Sequence, residues 1–143
     1  MAGILADSGA VDILNAAFNN VWPTGGKNLV MRLYTNNYAP TSTSTAANFT
    51  EANGGGYAPI TLTNGSWVQS LVNSIEQMAY AQQVFGFTGP LTTNPLIYGY
   101  YLTDAAGTLF AAELLAVQFQ PNYNGDQFFL TPIIQLSHGV AIA

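Results

Sequence analysis

The sequence predicts an all-β domain, a β-sandwich or jelly-roll-like fold carrying one short N-terminal helix. Three observations support this. Apolar residues alternate with period two over most of the chain. Turn signals such as Asn64-Gly65, Asp104-Ala-Ala-Gly107 and Asn124-Gly125 recur between the alternating runs. Only the first twenty residues carry a helical spacing of apolar positions. The length of 143 residues is that of one domain, large enough to bury a core without disulfides, and the chain has no cysteine.

The helix is expected from Asp7 or Ser8 as cap, with Val11, Leu14 and Phe18 on one face. Asn19 and Asn20 end it, and Pro23 blocks continuation. So short a helix needs a docking partner, either its own sheet or a neighbouring subunit. Residues 1–27 therefore read as an N-terminal helical arm and 28–143 as the β domain.

From Asn28 to Tyr34, Leu29, Met31 and Leu33 alternate with Val30, Arg32 and Tyr34, the pattern of a strand with one strongly buried face. Residues 35–56 form a long connection with Asn36-Asn37, Pro40, a Thr/Ser run and Gly54-Gly55-Gly56. A loop of about twenty residues implies function, flexibility or a hidden short element, and Phe49 is placed to anchor its middle.

Tyr57–Leu62 and Trp67–Val72 read as a hairpin closed by Asn64-Gly65, with Pro59 marking the first arm as an edge. A strand over Tyr80–Phe87 follows, with Phe85 and Phe87 on one face and Val84 on the other, ended by Gly89-Pro90. Leu96–Thr103 and Thr108–Val117 form a second hairpin around Asp104–Gly107, apolar enough to occupy the centre of a sheet. After the turn at 121–126 comes a last strand, Gln127–Ser137, in which Pro132 requires an edge, a bulge or a break. The count is about seven strands.

Charge narrows the function classes. Charged residues are 6% of the chain, against about 25% in an ordinary soluble domain, while hydrophobic residues reach 49%. A surface this poor in charge invites coverage by other subunits. The net charge of −5 includes only two cations, Lys27 and Arg32. Two cations cannot make a phosphate-backbone footprint or a polybasic membrane anchor, so no nucleic acid and no membrane are expected as partners. The N-terminus lacks the basic start and apolar run of a signal peptide. The acceptor patterns Asn48-Phe-Thr50 and Asn64-Gly-Ser66 read as chance matches in an Asn/Thr-rich chain.

Residues able to do chemistry are few. His138 is the single histidine and reads as a polar tail residue rather than a general base. The seven acids, Asp7, Asp12, Glu51, Glu76, Asp104, Glu113 and Asp126, are scattered. Asp104 and Asp126 sit in turns where a carboxylate accepts from the backbone. The loop ending at Asp126 lacks the spacing and the closing glutamate of a calcium-binding EF-hand. Glu51 and Glu113 form a conceivable glycosidase pair, for which only their separation matters. Glu113 interrupts an apolar run, which a wet strand face would also explain. Phosphate-loop and Gly-X-Ser-X-Gly motifs are absent. No catalytic residue, metal or cofactor is therefore expected. Tyr98, Tyr100 and Tyr101 with Trp67 could form a sugar platform, but in so uncharged a chain they read better as a subunit interface, together with Phe49.

The order Leu33-Tyr-Thr-Asn-Asn37, Phe49-Thr-Glu51, Gly56-Tyr-Ala58, Leu62-Thr63 and Gly65-Ser-Trp67 resembles small virion structural proteins of tailed bacteriophages. Phe85-Gly-Phe-Thr-Gly89, Ile97-Tyr-Gly-Tyr100, Asp104–Gly107 and Asn124-Gly-Asp126 extend the resemblance over most of residues 29–136, leaving the helix outside it. The sequence is most similar to capsid cement, or decoration, proteins of cyanophages. That resemblance implies a homotrimer on the outer surface of the capsid, at local three-fold positions, bridging subunits of the major capsid protein. It carries over no catalytic residue. A phage tail or host-attachment module that binds carbohydrate is the alternative.

Overall fold

The computed structural model describes residues 3–22 and 28–136; Lys27, Pro23 and His138 lie outside them. The fold is all-β and sandwich-like, with several antiparallel sheets and one short N-terminal helix. A five-stranded sheet is built from β1 (Ile4–Leu5), β2 (Leu29–Tyr34), β3 (Ile60–Leu62), β7 (Ile97–Thr103) and β8 (Leu109–Phe119), in the order β1-β8-β7-β2-β3. β4 (Val68–Val72), β5 (Ile75–Ala79) and β10 (Ile133–Leu136) form a three-stranded sheet ordered β10-β5-β4. β6 (Gln83–Gly86) pairs with β9 (Gln127–Leu130).

The β7–β8 hairpin is central, as its apolar strands require. The Asp104 carboxylate closes its turn by accepting from the backbone N–H groups of Ala106 and Thr108, both at 2.9 Å, and Gly107 takes a φ of 91°. Both faces of the sheet are covered. On one side Met31, Leu33, Leu62, Tyr100 and Leu102 meet Phe85, Leu130 and Ile134 from the smaller sheets, together with Phe87 just after β6. On the other, Tyr34, Tyr101, Leu109 and Ala112 are covered by Ala6 and by Phe49 from the long connection.

That connection is not loose. Phe49 stacks on Tyr101 at 4.9 Å between ring centroids and meets Tyr34 and Tyr38 edge to face. Thr45–Asn48 makes a capping box around a single 3-10 turn, and Glu51 bridges to Tyr34. Gly54, Gly55 and Gly56 all adopt positive φ, and their turn lies against the 88–92 loop through Thr88 N–H to the Gly55 carbonyl. Pro132 ends one strand and begins another, so the C-terminal run splits into β9 and β10 in different sheets.

Three expectations are corrected. β3 does not pair with β4. It pairs with β2 (Leu29↔Leu62), while β4 pairs with β5 (Val72↔Ile75) across Asn73-Ser74. The Asn64-Gly65 turn is present, but it carries the chain from one sheet to the other. There are ten strands among the described residues rather than about seven, because β5 carries no clear strand pattern in the sequence and short β1 and split β9/β10 add to the count. The helix α1 (Asp7–Leu14) is capped at Ala6, with no side-chain cap; the Ser8 hydroxyl instead donates to the Leu109 carbonyl. A π-helical turn, Asn15–Asn19, continues α1 and ends at Asn20, whose φ is 53°. α1 lies against β8 through Gly9, where a Cβ would collide with the Phe110 carbonyl.

Candidate functional site

The inward side of α1 is thus set by a glycine, because only a side chain that small lets the helix backbone approach β8. The consequence is that Val11, Leu14 and Phe18 point outward, with Phe18 81% exposed. Val21 and Trp22 prolong this apolar row. No helix among the described residues is long and apolar enough to cross a membrane.

A second apolar region lies on the β4–β5 hairpin, where Val68, Leu71, Val72 and Met78 are exposed. Between α1 and this hairpin runs a groove of about 360 Å³ lined by Ile13, Trp67, Met78, Phe110 and Ile134, among others. Trp67 forms one wall, held edge to face against Tyr80 at 5.2 Å. Further exposed apolar side chains lie elsewhere, with Val117 on β8, Tyr123 in the turn before β9, and the cross-strand pair Val84 and Phe129 on β6 and β9.

The aromatic surface expected from the sequence is redrawn by the fold. Tyr100 packs between the sheets, while Tyr101 and Phe49 stack on each other in the opposite core; all three are buried. They are committed to the subunit's own interior because successive residues of a strand face opposite ways and both faces of this sheet are covered. Tyr98 is half-buried at the edge of the second core, and Trp67 is half-buried in the groove. Of the five residues, Trp67 and Tyr98 alone reach the surface appreciably, and the three tyrosines form no common platform. The signal missed was the helix: its row was visible, but not the side on which it docks.

The carboxylates occupy separate settings. Glu51 is gripped by Arg32 Nη1 at 3.0 and 3.1 Å and accepts from the Tyr57 hydroxyl at 3.0 Å. Burial holds the Tyr57 hydroxyl well above its usual pKa, so it stays a donor. Glu113 is buried on β8 opposite Tyr100. Burial raises its pKa, and the neighbouring Tyr100 hydroxyl works against that rise. Glu51 bridges to the side of β2 away from β7, so it stands three strand spacings from β8. At about 4.8 Å each that is roughly 14 Å of backbone separation, and the side chains face apart: Arg32, which holds Glu51, opposes Tyr101 on β7, whereas Glu113 opposes the preceding Tyr100, on the other face of the sheet.

The Asp126 carboxylate is taken up by its own loop, accepting from Asn122 and Tyr123 N–H at 2.8 and 2.9 Å, which holds its pKa below the usual value. Among the described residues no three His, Cys, Asp or Glu side chains gather as a metal site requires. The chain matches no protein-family model, no curated protein and no solved structure.

Proposed function

We propose that this protein is a structural assembly subunit, a cement protein of a tailed-phage head that self-associates and bridges subunits of the major capsid protein. The observation that carries the reading is the outward apolar row of α1, Val11, Leu14 and Phe18, in a chain with 6% charged residues. A row of this kind is costly to leave in water and gains about 25 cal/mol per Å² when covered. The order of motifs along residues 29–136 supports the same reading through its resemblance to virion proteins.

The occupant assigned to the α1 row is the capsid shell. Trimers on the outer capsid surface are the arrangement that the resemblance implies. The carbohydrate-binding alternative loses its platform, since Tyr100 and Tyr101 are buried on opposite faces of the sheet.

The test has two measurements. Light scattering across a dilution series should give an oligomer mass that resists dilution. Cosedimentation with expanded, empty shells of the cognate major capsid protein should show saturable binding. A monomer that stays in the supernatant would remove the proposal.

A further inference from the structure

Open strand edges are templates for other strands, and native proteins guard them with lysine, proline, bulges, short length or a cover. The outer edges of the five-stranded sheet and of β10 are guarded, and the unpaired edges of β6 and β9 are only four residues long. β3 has three residues and follows Pro59. β10 is bridged by Gly3. β8 is covered by β1 at Ala111 and Ala112, and its pairing with β7 becomes irregular between Ile97 and Gly99.

β4 has none of these devices. Its sequence, Val68-Gln-Ser-Leu-Val72, contains no charge and no proline, and its register with β5 is unbroken from Val68↔Ala79 to Val72↔Ile75. Val68 and Leu71 are 67% and 62% exposed.

Hairpin geometry fixes which backbone groups are free. Asn73 and Ser74 form a two-residue turn with φ of 52° and 64°, so Val72 and Ile75 are the hydrogen-bonded pair that flanks it. Alternation then directs the N–H and C=O of Ser70 and Val68 toward β5, and those of Gln69 and Leu71 outward. No described residue pairs with that outer edge.

The complement to such an edge is an extended strand, and side chains decide which one. With an antiparallel copy of β4 centred on Ser70, Gln69 faces Leu71 of the second copy and Leu71 faces its Gln69. These are the residues with outward backbone groups, so both pairs form with their hydrogen bonds satisfied. Val68 then sits opposite Val72, Ser70 meets Ser70, and no like charges oppose one another across the strands.

We propose that the β4 edge is a self-association site, joining the three-stranded sheets of two copies across a two-fold axis. The inference deepens the assembly reading above and rests on it for its setting, as a link between neighbouring oligomers. A five-residue edge buries less than the roughly 800 Å² per partner of a stable interface. The contact is therefore weak singly and gains strength when many copies are held side by side.

The chain has no cysteine, so Ser70→Cys introduces a single thiol. The two copies of residue 70 form a non-hydrogen-bonded pair with Cα atoms about 4.5 Å apart, within disulfide reach. Under mild oxidation S70C should accumulate a linked dimer at least about tenfold faster than S66C, an exposed control on the preceding turn. Mixing V68C with V72C should give the mixed dimer. Adding L71K should suppress the S70C link while circular dichroism and the melting midpoint stay unchanged. Equal rates for folded S70C and S66C would overturn the β4 contact. If the protein still bound shells in that case, the assembly reading would survive without it. Conversely, rapid S70C linkage without shell binding would keep the contact and remove the capsid assignment.

Discussion

Tyr34 lies across Gly99. The two are cross-strand partners on β2 and β7, and the phenol passes over the glycine to place its hydroxyl 3.2 Å from the Glu113 carbonyl and 3.0 Å from that of Tyr38. A Cβ at position 99 would stand 2.5 Å from Tyr34 Cε1 and would also collide with the Glu113 carbonyl. One small residue thereby lets β2 tie β8 to the long connection across the intervening strand.

Gly99→Ala should consequently destabilise the fold by about 3 kcal/mol, the upper range for forcing a methyl into a filled core. Urea denaturation checks this through the transition midpoint at constant slope. A change under about 0.5 kcal/mol would mean that both Tyr34 and the Glu113 carbonyl yield freely. Tyr34→Ala combined with Gly99→Ala should then recover part of the loss, measured as a coupling in a double-mutant cycle.

Glu113 gives stability a pH dependence of defined sign. Its folded pKa is raised by burial above the ordinary 4.5. Between those two values the native state holds the proton and the unfolded chain has released it. Stability is therefore greater on the acid side of the window and falls as pH rises through the folded pKa. Asp12, raised by burial and then by Asp104, acts in the same direction. Glu113→Gln should flatten the fall of the urea midpoint as pH rises above 4.5, and raise stability at the upper end. Asp12→Asn should remove part of what remains. An unchanged slope in Glu113→Gln would assign the dependence to other groups.

The turn between β4 and β5 holds a serine where glycine fits better. Ser74 has a φ of 64°, in the left-handed region that costs a side-chain-bearing residue about 1–2 kcal/mol. Glycine removes that cost but adds about 0.4–1 kcal/mol of unfolded-state freedom. Ser74→Gly should therefore stabilise by about 0.5–1 kcal/mol, raising the thermal midpoint by roughly 1–4 °C. A lowered midpoint would show that the serine side chain makes a stabilising contact in the native turn.

This turn also shows where sequence reading stops. Strands flanking Asp104–Gly107 were legible because long apolar runs met a turn whose carboxylate closes it locally. Pro132 was equally direct, since it cannot donate to a ladder, and Phe49 was recognisable as the only large apolar residue in the middle of its connection. Strand pairing was not legible: Asn64-Gly65 signals a reversal but not which strand receives the next one, and the weak alternation of Ile75–Ala79 hid β5. The burial of Tyr101 was hidden for a similar reason, because it depends on a connection folding back over the sheet. Helical periodicity in Val11, Leu14 and Phe18 defined a face. The steric freedom at Gly9 decided that this face points outward.

That outward row yields the prediction closest to function. Phe18 is 81% exposed, so Phe18→Lys removes apolar contact area while leaving the subunit core untouched. Unfolding free energy should stay within about 0.5 kcal/mol of the parent, as for surface substitutions remote from packed groups. Binding to expanded empty shells should weaken at least about tenfold, equivalent to about 1.4 kcal/mol, with the oligomer mass in solution preserved. Phe18→Leu keeps an apolar side chain at the same place and should recover most of the binding. Loss of the oligomer instead would make the α1 row a contact between copies, and unchanged shell binding would remove α1 from the capsid interface. Separate responses to Phe18→Lys and to the β4 substitutions would show that the helix holds the shell while the strand edge holds the neighbouring copy.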